Sequence, residues 1–153
     1  MKQMTLFGEQ SRLDYIIISI QEPYFNRILE GKKKFEYRRK FYDHPVFAFV
    51  YVPAPVKRIS GLLKLGKPIY DSVDAIARIA ESESPGSYEG MVKYFTGLEK
   101  AYAVPIDLFM EVSPVTLGEL QARFPRFTPP QSYVFLNIDS DTFKYLESLI
   151  PKS

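Results

Sequence analysis

ILEGKKKFEYRRKF, residues 28–41, decides how this sequence is read, because two periodicities meet inside it. Ile28 and Leu29 end an amphipathic pattern that opens with Pro23, Tyr24 and Phe25, and Gly31 supplies the left-handed residue that closes a helix. From Lys34 the period is two, which predicts a strand with Phe35 and Tyr37 on one face and Lys34, Glu36 and Arg38 on the other. Between residues 27 and 40 seven basic side chains stand against Glu30 and Glu36, a net charge of +5. A carboxylate in that setting either pairs the cations along the strand face or offers a hydrogen-bond acceptor inside a cleft. Neighbouring cations hold it ionised, so it suits acceptance better than general acid work.

Working outward, YIIISI (15–20) and VFAFVYV (46–52) are apolar runs rich in β-branched residues, which suit buried strands, and Pro53 and Pro55 end the second. ISGLLKLGKPI (59–69) predicts a strand in which Gly61 and Gly66 permit bulges or close backbone approach. From Asp71 to Leu98 the spacing is helical, in two pieces separated by SPGSYEG. AYAVPIDLF (101–109) returns to strand character, with Pro105 predicting an edge or a bulge. Leu117 to Leu120 reads as a short turn. RFPRFTPPQSYVFLNI then predicts an irregular, proline-stiffened loop leading into a last strand at Tyr133 to Asn137. DSDTFKYLESLI opens with cap residues and repeats Phe143, Leu146 and Ile150, as a terminal helix does. Strands and helices that interleave this irregularly do not make a doubly wound parallel sheet. The expectation is an α+β fold: a small mixed β-barrel of five to six strands with peripheral helices. A flexible N-terminal tail over 1–13 precedes a single domain over 14–153.

Composition narrows the chemistry. The chain has 153 residues, 46% of them apolar, enough to bury a core. It has no cysteine, which removes disulfides, thiolate metal sites and a cysteine nucleophile. Its one histidine, His44, precedes Pro45 as a loop residue would, and leaves histidine-based metal sites and catalytic triads hard to build. No metal and no cofactor are implied. The first residues lack the pattern of a secretory signal, and no segment approaches the ~20 apolar residues of a membrane span. The expected home is the cytoplasm, with no membrane partner. Residues 71–119 hold nine acids and three bases, so the charge is expected to separate into a basic and an acidic side, with an anionic partner for the basic one.

The order Ser19, Ile20, Tyr24, Ile28, Leu29, Gly31, Lys33, Phe35, Glu36, Arg38, Arg39 resembles the ASCH domain of the PUA-like superfamily. Gly61 to Gly66, the strand Ala101 to Ile106 and the PPQSY motif (129–133) are similar to a prokaryotic subgroup described as RNA-binding or regulatory, and the resemblance spans about residues 14–137. It implies a PUA-like barrel with a cleft beside the first helix and a ligand of RNA or nucleotide type. A small branch of this fold has amidohydrolase activity on an acetylated cytidine, using a lysine, a threonine and a glutamate. Lys33 matches that lysine, Glu36 stands at the threonine position, and no motif places the glutamate. Where related members often carry a lysine two positions after the serine, this chain has Gln21.

The leading expectation is a nucleic-acid-binding module, for RNA or a modified base, with a basic cleft. Arg38, Arg39 and Lys33 hold phosphates, arginine's planar fork being the better match. Glu36, Gln131 and Ser132 contact a base. Ser19 and Tyr133 complete the ligand-binding set, and of the aromatics beside the patch, Tyr24, Phe25, Tyr37, Phe41 and Tyr42, those exposed could stack on bases, whereas periodicity places Phe25, like Phe35, in the core. The alternative is a small amidohydrolase acting on an acylated nucleoside such as acetylcytidine, with Lys33 as the catalytic residue. Separately, Gln3, Leu6 and Phe7 in QMTLF are similar to the peptide by which bacterial proteins dock on the replication sliding clamp.

Overall fold

A computed structural model describes residues 13–152; the QMTLF stretch with Gln3, Leu6 and Phe7 lies outside the described residues. Seven strands and five helices follow one another: β1 (Asp14–Ser19), α1 (Glu22–Leu29), β2 (Phe35–Arg38), β3 (Val46–Val52), β4 (Arg58–Leu65), β5 (Ile69–Ser72), α2 (Val73–Glu83), α3 (Tyr88–Tyr94), β6 (Lys100–Thr116), α4 (Leu117–Arg123), β7 (Tyr133–Leu136) and α5 (Asp141–Ser148). The α+β class is as the sequence reads, with one strand more than expected. Among the described residues no helix is long and apolar enough to cross a membrane. The residues gather into two compact units that alternate along the chain, changing over after Glu22, Pro45, Lys64 and Leu108.

The first unit is built on β1. Its four residues Tyr15 to Ile18 are all buried, the continuous apolar pattern of a strand covered on both faces. β1 runs parallel to β3, with Tyr15 opposite Phe47 and Ser19 opposite Tyr51, and antiparallel to β7, with Tyr15 opposite Leu136. The order within this unit is β4-β3-β1-β7. Tyr15, Ile17, Phe49, Tyr51, Ile59 and Leu62 of the sheet pack with Val112, Val115, Leu120, Phe143 and Leu146. α4 starts on a capping box in which Thr116 Oγ1 accepts the Glu119 N–H and Glu119 accepts the Thr116 N–H. The sequence reading took this helix for a turn.

The second unit centres on the first half of β6, antiparallel to β2 (Phe35 opposite Pro105, Arg38 opposite Tyr102) and to β5 (Ile69 opposite Ala103). Pro105 therefore lies inside a paired strand, and not at the expected edge. Its neighbour Ile106 donates to the Lys34 carbonyl while the Pro105 carbonyl accepts the Gly66 N–H just past the end of β4, so the missing proline donor lies on the side away from β2. α2 begins on Ser72, whose hydroxyl accepts the Ala75 N–H, and buries Ile76, Ala77 and Ala80. Ile76, Phe95, Ala101 and Ala103 form the core, covered by Phe35, Tyr37, Val73, Ile79, Met91 and Leu98. Gly31, at φ +74, turns the chain out of α1 and toward β2, a conformation in which a side chain is strained.

Leu146 is fully buried, so Leu146→Ala should cost about 2–5 kcal/mol. Thr116→Ala, which removes only a cap, should cost about 1 kcal/mol. Urea denaturation followed by circular dichroism compares the two.

Candidate functional site

Two backbone hydrogen bonds set the approach to β2. After Gly31, the N–H groups of Lys32 and Lys33 both donate to the Arg27 carbonyl, at 2.9 and 3.1 Å. This tight return off α1 turns the Lys33 side chain inward, where it is 7% exposed. Its ammonium lies 3.5 Å from Glu36 Oε1. From the other side Arg38 donates through Nε at 2.9 Å and Nη2 at 2.6 Å, both to Glu36 Oε2. Side-chain exposures of 9% for Glu36 and 12% for Arg38 make this a buried cluster in which two cations share one carboxylate. Withdrawing each ion from water costs several kcal/mol, which close geometry must offset.

Aromatic rings finish the enclosure. Lys33 Nζ lies 4.8 Å from the centre of the Tyr37 ring and 5.6 Å from that of Tyr24, distances at which ring quadrupoles attract a cation. Tyr24 itself is 53% exposed. The Tyr37 hydroxyl donates to Glu83 Oε1 at 2.9 Å, and Glu83 Oε2 accepts the Lys34 N–H. Burial, and next the hydrogen bond to Glu83, push the Tyr37 hydroxyl above its ordinary pKa.

The strand-face pairing of Glu36 and Arg38 is as the sequence reads, but it is buried rather than exposed. Lys34, expected on the same face, has an exposed side chain; Lys33 takes its place. The two-residue period does not extend to Lys33, which precedes β2 in the turn. Arg39 turns elsewhere: its Nη1 donates to the carbonyls of Tyr94 at 2.7 Å and Thr96 at 3.2 Å, at the end of α3. Lys32 pairs with Glu30 at 3.7 Å in solvent. The acidic and basic segments are not segregated in this unit, since Glu83 of the former grips the latter. Glu83 escaped the sequence reading, and no local pattern marks it, because its partners are 46 and 49 residues away.

Ser19, Gln131, Ser132 and Tyr133 belong to the first unit. The Ser19 hydroxyl donates to the Pro130 carbonyl at 2.6 Å and the Ser19 N–H to the Ser132 carbonyl at 2.9 Å. Those bonds seat the PPQSY segment on the end of β1, with Gln131 and Ser132 exposed and Tyr133 half-buried. Among the described residues no group of histidine, cysteine, aspartate and glutamate is placed to hold a metal ion.

The family model of the ASCH domain matches residues 18–48, a span that contains Ser19, α1 and the whole Lys33–Glu36–Arg38 cluster. An ASCH domain-containing ribonuclease of Zymomonas mobilis is 29% identical over 122 residues, 78% of this chain and 82% of that protein. The crystal structure of ASCH from Zymomonas mobilis superposes with a TM-score of 0.77 at 26% identity, over 91% of this chain and 97% of that one. A serine-to-alanine variant from the same organism matches at the same TM-score and identity, over 90% of this chain and 97% of its own.

Two outcomes follow from the cluster. Glu36→Ala leaves Lys33 and Arg38 buried without their shared carboxylate and should cost about 3–5 kcal/mol in urea denaturation, whereas replacing all three by methionine should be close to neutral. Tyr37 is held neutral in the folded state, so its contribution to stability is complete below its ordinary pKa of 10.0 and declines as alkali ionises the unfolded chain first. Above pH 10 the wild type should therefore lose stability more steeply than Tyr37→Phe.

Proposed function

We propose that this ASCH-domain protein is an RNA-binding module whose anion site is the Lys33–Glu36–Arg38 cluster. The observation that carries the reading is the convergence of two buried cations, Lys33 and Arg38, on one carboxylate inside the span matched by the family model. A cluster built for stability alone gains little from three ions where apolar residues would serve. A phosphate would be a further anionic partner for both cations. Lys33 and Arg38 are the proposed phosphate contacts, and Glu36 fixes the arginine fork. Gln131, Ser132 and Tyr133, held on Ser19, are a proposed second set of contacts, for a base. Arg39 has a smaller part, one of its nitrogens being engaged by the end of α3. Each unit of the PUA-like domain thus offers its own set of contacts, phosphate for the second and base for the first, and cytoplasmic RNA is the ligand we assign to them.

The ribonuclease from Zymomonas mobilis favours a second reading, cleavage of the bound RNA. Lys33 and Arg38 would then stabilise charge that develops on the phosphate. Hydrolysis of an acylated nucleoside is less well supported: the carboxylate and ring faces around Lys33 complement an ammonium cation, whereas a nucleophile or base needs the free amine.

The test is titration of labelled single-stranded RNA against wild type, Arg38→Lys and Lys33→Met/Arg38→Met at several salt concentrations. Wild type should lose affinity with log salt, and the double variant should lower that slope by about 1.4, two contacts at about 0.7 each. Arg38→Lys keeps the charge, so it should keep the slope while weakening binding. Equal and negligible binding by wild type and double variant would sink the proposal. Incubating the same RNA with each protein and resolving the products on a gel decides between binding and cleavage, and acetylcytidine turnover tests the amidohydrolase.

A further inference from the structure

Glu83 holds two donors that flank the proposed anion site, and neither is a cation. One carboxylate oxygen takes the Tyr37 hydroxyl and the other the Lys34 N–H. Lys34 is the residue after Lys33, and Tyr37 carries the ring nearest the Lys33 ammonium. A single side chain thus fixes both the backbone that leaves Lys33 and the ring beneath its ammonium. Because both oxygens are engaged by neutral donors, Glu83 anchors the neighbourhood of Lys33 without being one of the charges in the cluster.

The anchor is itself rigid. Glu83 is the last residue of α2, an eleven-residue helix capped by Ser72. α2 places Ile76 in the core and packs Val73 and Ile79 against it, beside Phe35 and Tyr37 of β2. A carboxylate on a packed helix positions its partners more tightly than one on a loop. A tyrosine ring without its hydroxyl anchor can turn about its side-chain bonds, and the cation over it loses a defined face.

We propose that Glu83 is a positioning residue for Lys33: through Tyr37 and the Lys34 amide it sets where the ammonium stands, and so how tightly the site grips an RNA phosphate. The functional half of this rests on the reading of the cluster as an RNA site; the geometric half does not. The experiment therefore has two arms, run on Glu83→Ala, Glu83→Gln, Tyr37→Phe and Glu83→Ala/Tyr37→Phe.

In the first arm, NMR follows the Lys33 side-chain methylene protons next to the ammonium. Ring currents from Tyr37 and Tyr24 should place them upfield in the wild type, and Glu83→Ala should move them back toward the position of a solvated lysine. Glu83→Gln, which keeps an oxygen for the Tyr37 hydroxyl but not both acceptors, should lie between. In the second arm, RNA titration should show Tyr37→Phe weaker by about threefold and Glu83→Ala by up to about tenfold, as loss of a cation–ring contact and its anchor predicts. The double variant should be no weaker than Glu83→Ala alone, because the two residues act through one contact. Should Glu83→Ala fail to fold, Tyr37→Phe and Glu83→Gln carry both arms. Lys33 resonances unmoved in the folded variants overturn the positioning role, as do additive losses in the double variant. Wild-type RNA affinity in Lys33→Met overturns the RNA reading instead, and the NMR arm still reports on Glu83.

Discussion

Glu36 is shared by two cations that have been taken out of water, and much of the second unit is arranged so that both can reach it. Lys33 and Arg38 reach its two oxygens from opposite ends of a four-residue strand. The reach from Lys33 depends on the chain returning sharply after α1, which Gly31 and the two bonds to the Arg27 carbonyl provide. The reach from Arg38 depends on β2 being regular, which its register with β6 provides. Without either, an ion would stand buried beyond the reach of its partner, and the penalty for that exceeds what any one exposed ion pair in this protein contributes.

The packing around the cluster follows the same logic. Phe35 and Tyr37 leave the opposite face of β2 and cover the core formed by Ile76, Phe95, Ala101 and Ala103. α2 supplies Ile76 to that core and Phe95 follows α3, and each helix also places a polar group against the β2 segment: Glu83 accepts from Tyr37 and Lys34, and the end of α3 accepts from Arg39. The stretch between β5 and β6 is thus a brace for β2 and not a decoration on the sheet.

Local patterns made most of this architecture legible. β3 has the bounds its apolar run announces, and β1, α1, β2, β7 and the last helix arise where periodicity and capping residues place them. β5 was not legible as a strand of its own because all four of its residues are exposed, so no hydrophobic alternation marks it. The second half of β6, Met110 to Thr116, buries only Val112 and Val115, three positions apart, and a strand pattern cannot be read from that spacing. At the site, the Glu36–Arg38 pair was legible because residues two apart share a strand face. The choice of Lys33 over Lys34 was not, since it depends on a turn. Arg39 looked like a phosphate ligand from composition alone, and only the fold brings α3 to meet it.

The balance of charge in the cluster separates a structural from a functional account. Had Glu36 been matched to a single cation, the pair would have been neutral and complete. Two cations instead share one carboxylate in surroundings from which water is mostly excluded, and there a charge acts over distance more strongly than it would in solvent. The exposed ring of Tyr24 stands beside it, giving an anion with an aromatic group attached two complementary surfaces at once. On the proposed reading, that pairing of phosphate and base is what the energetic cost of burying Lys33 and Arg38 maintains.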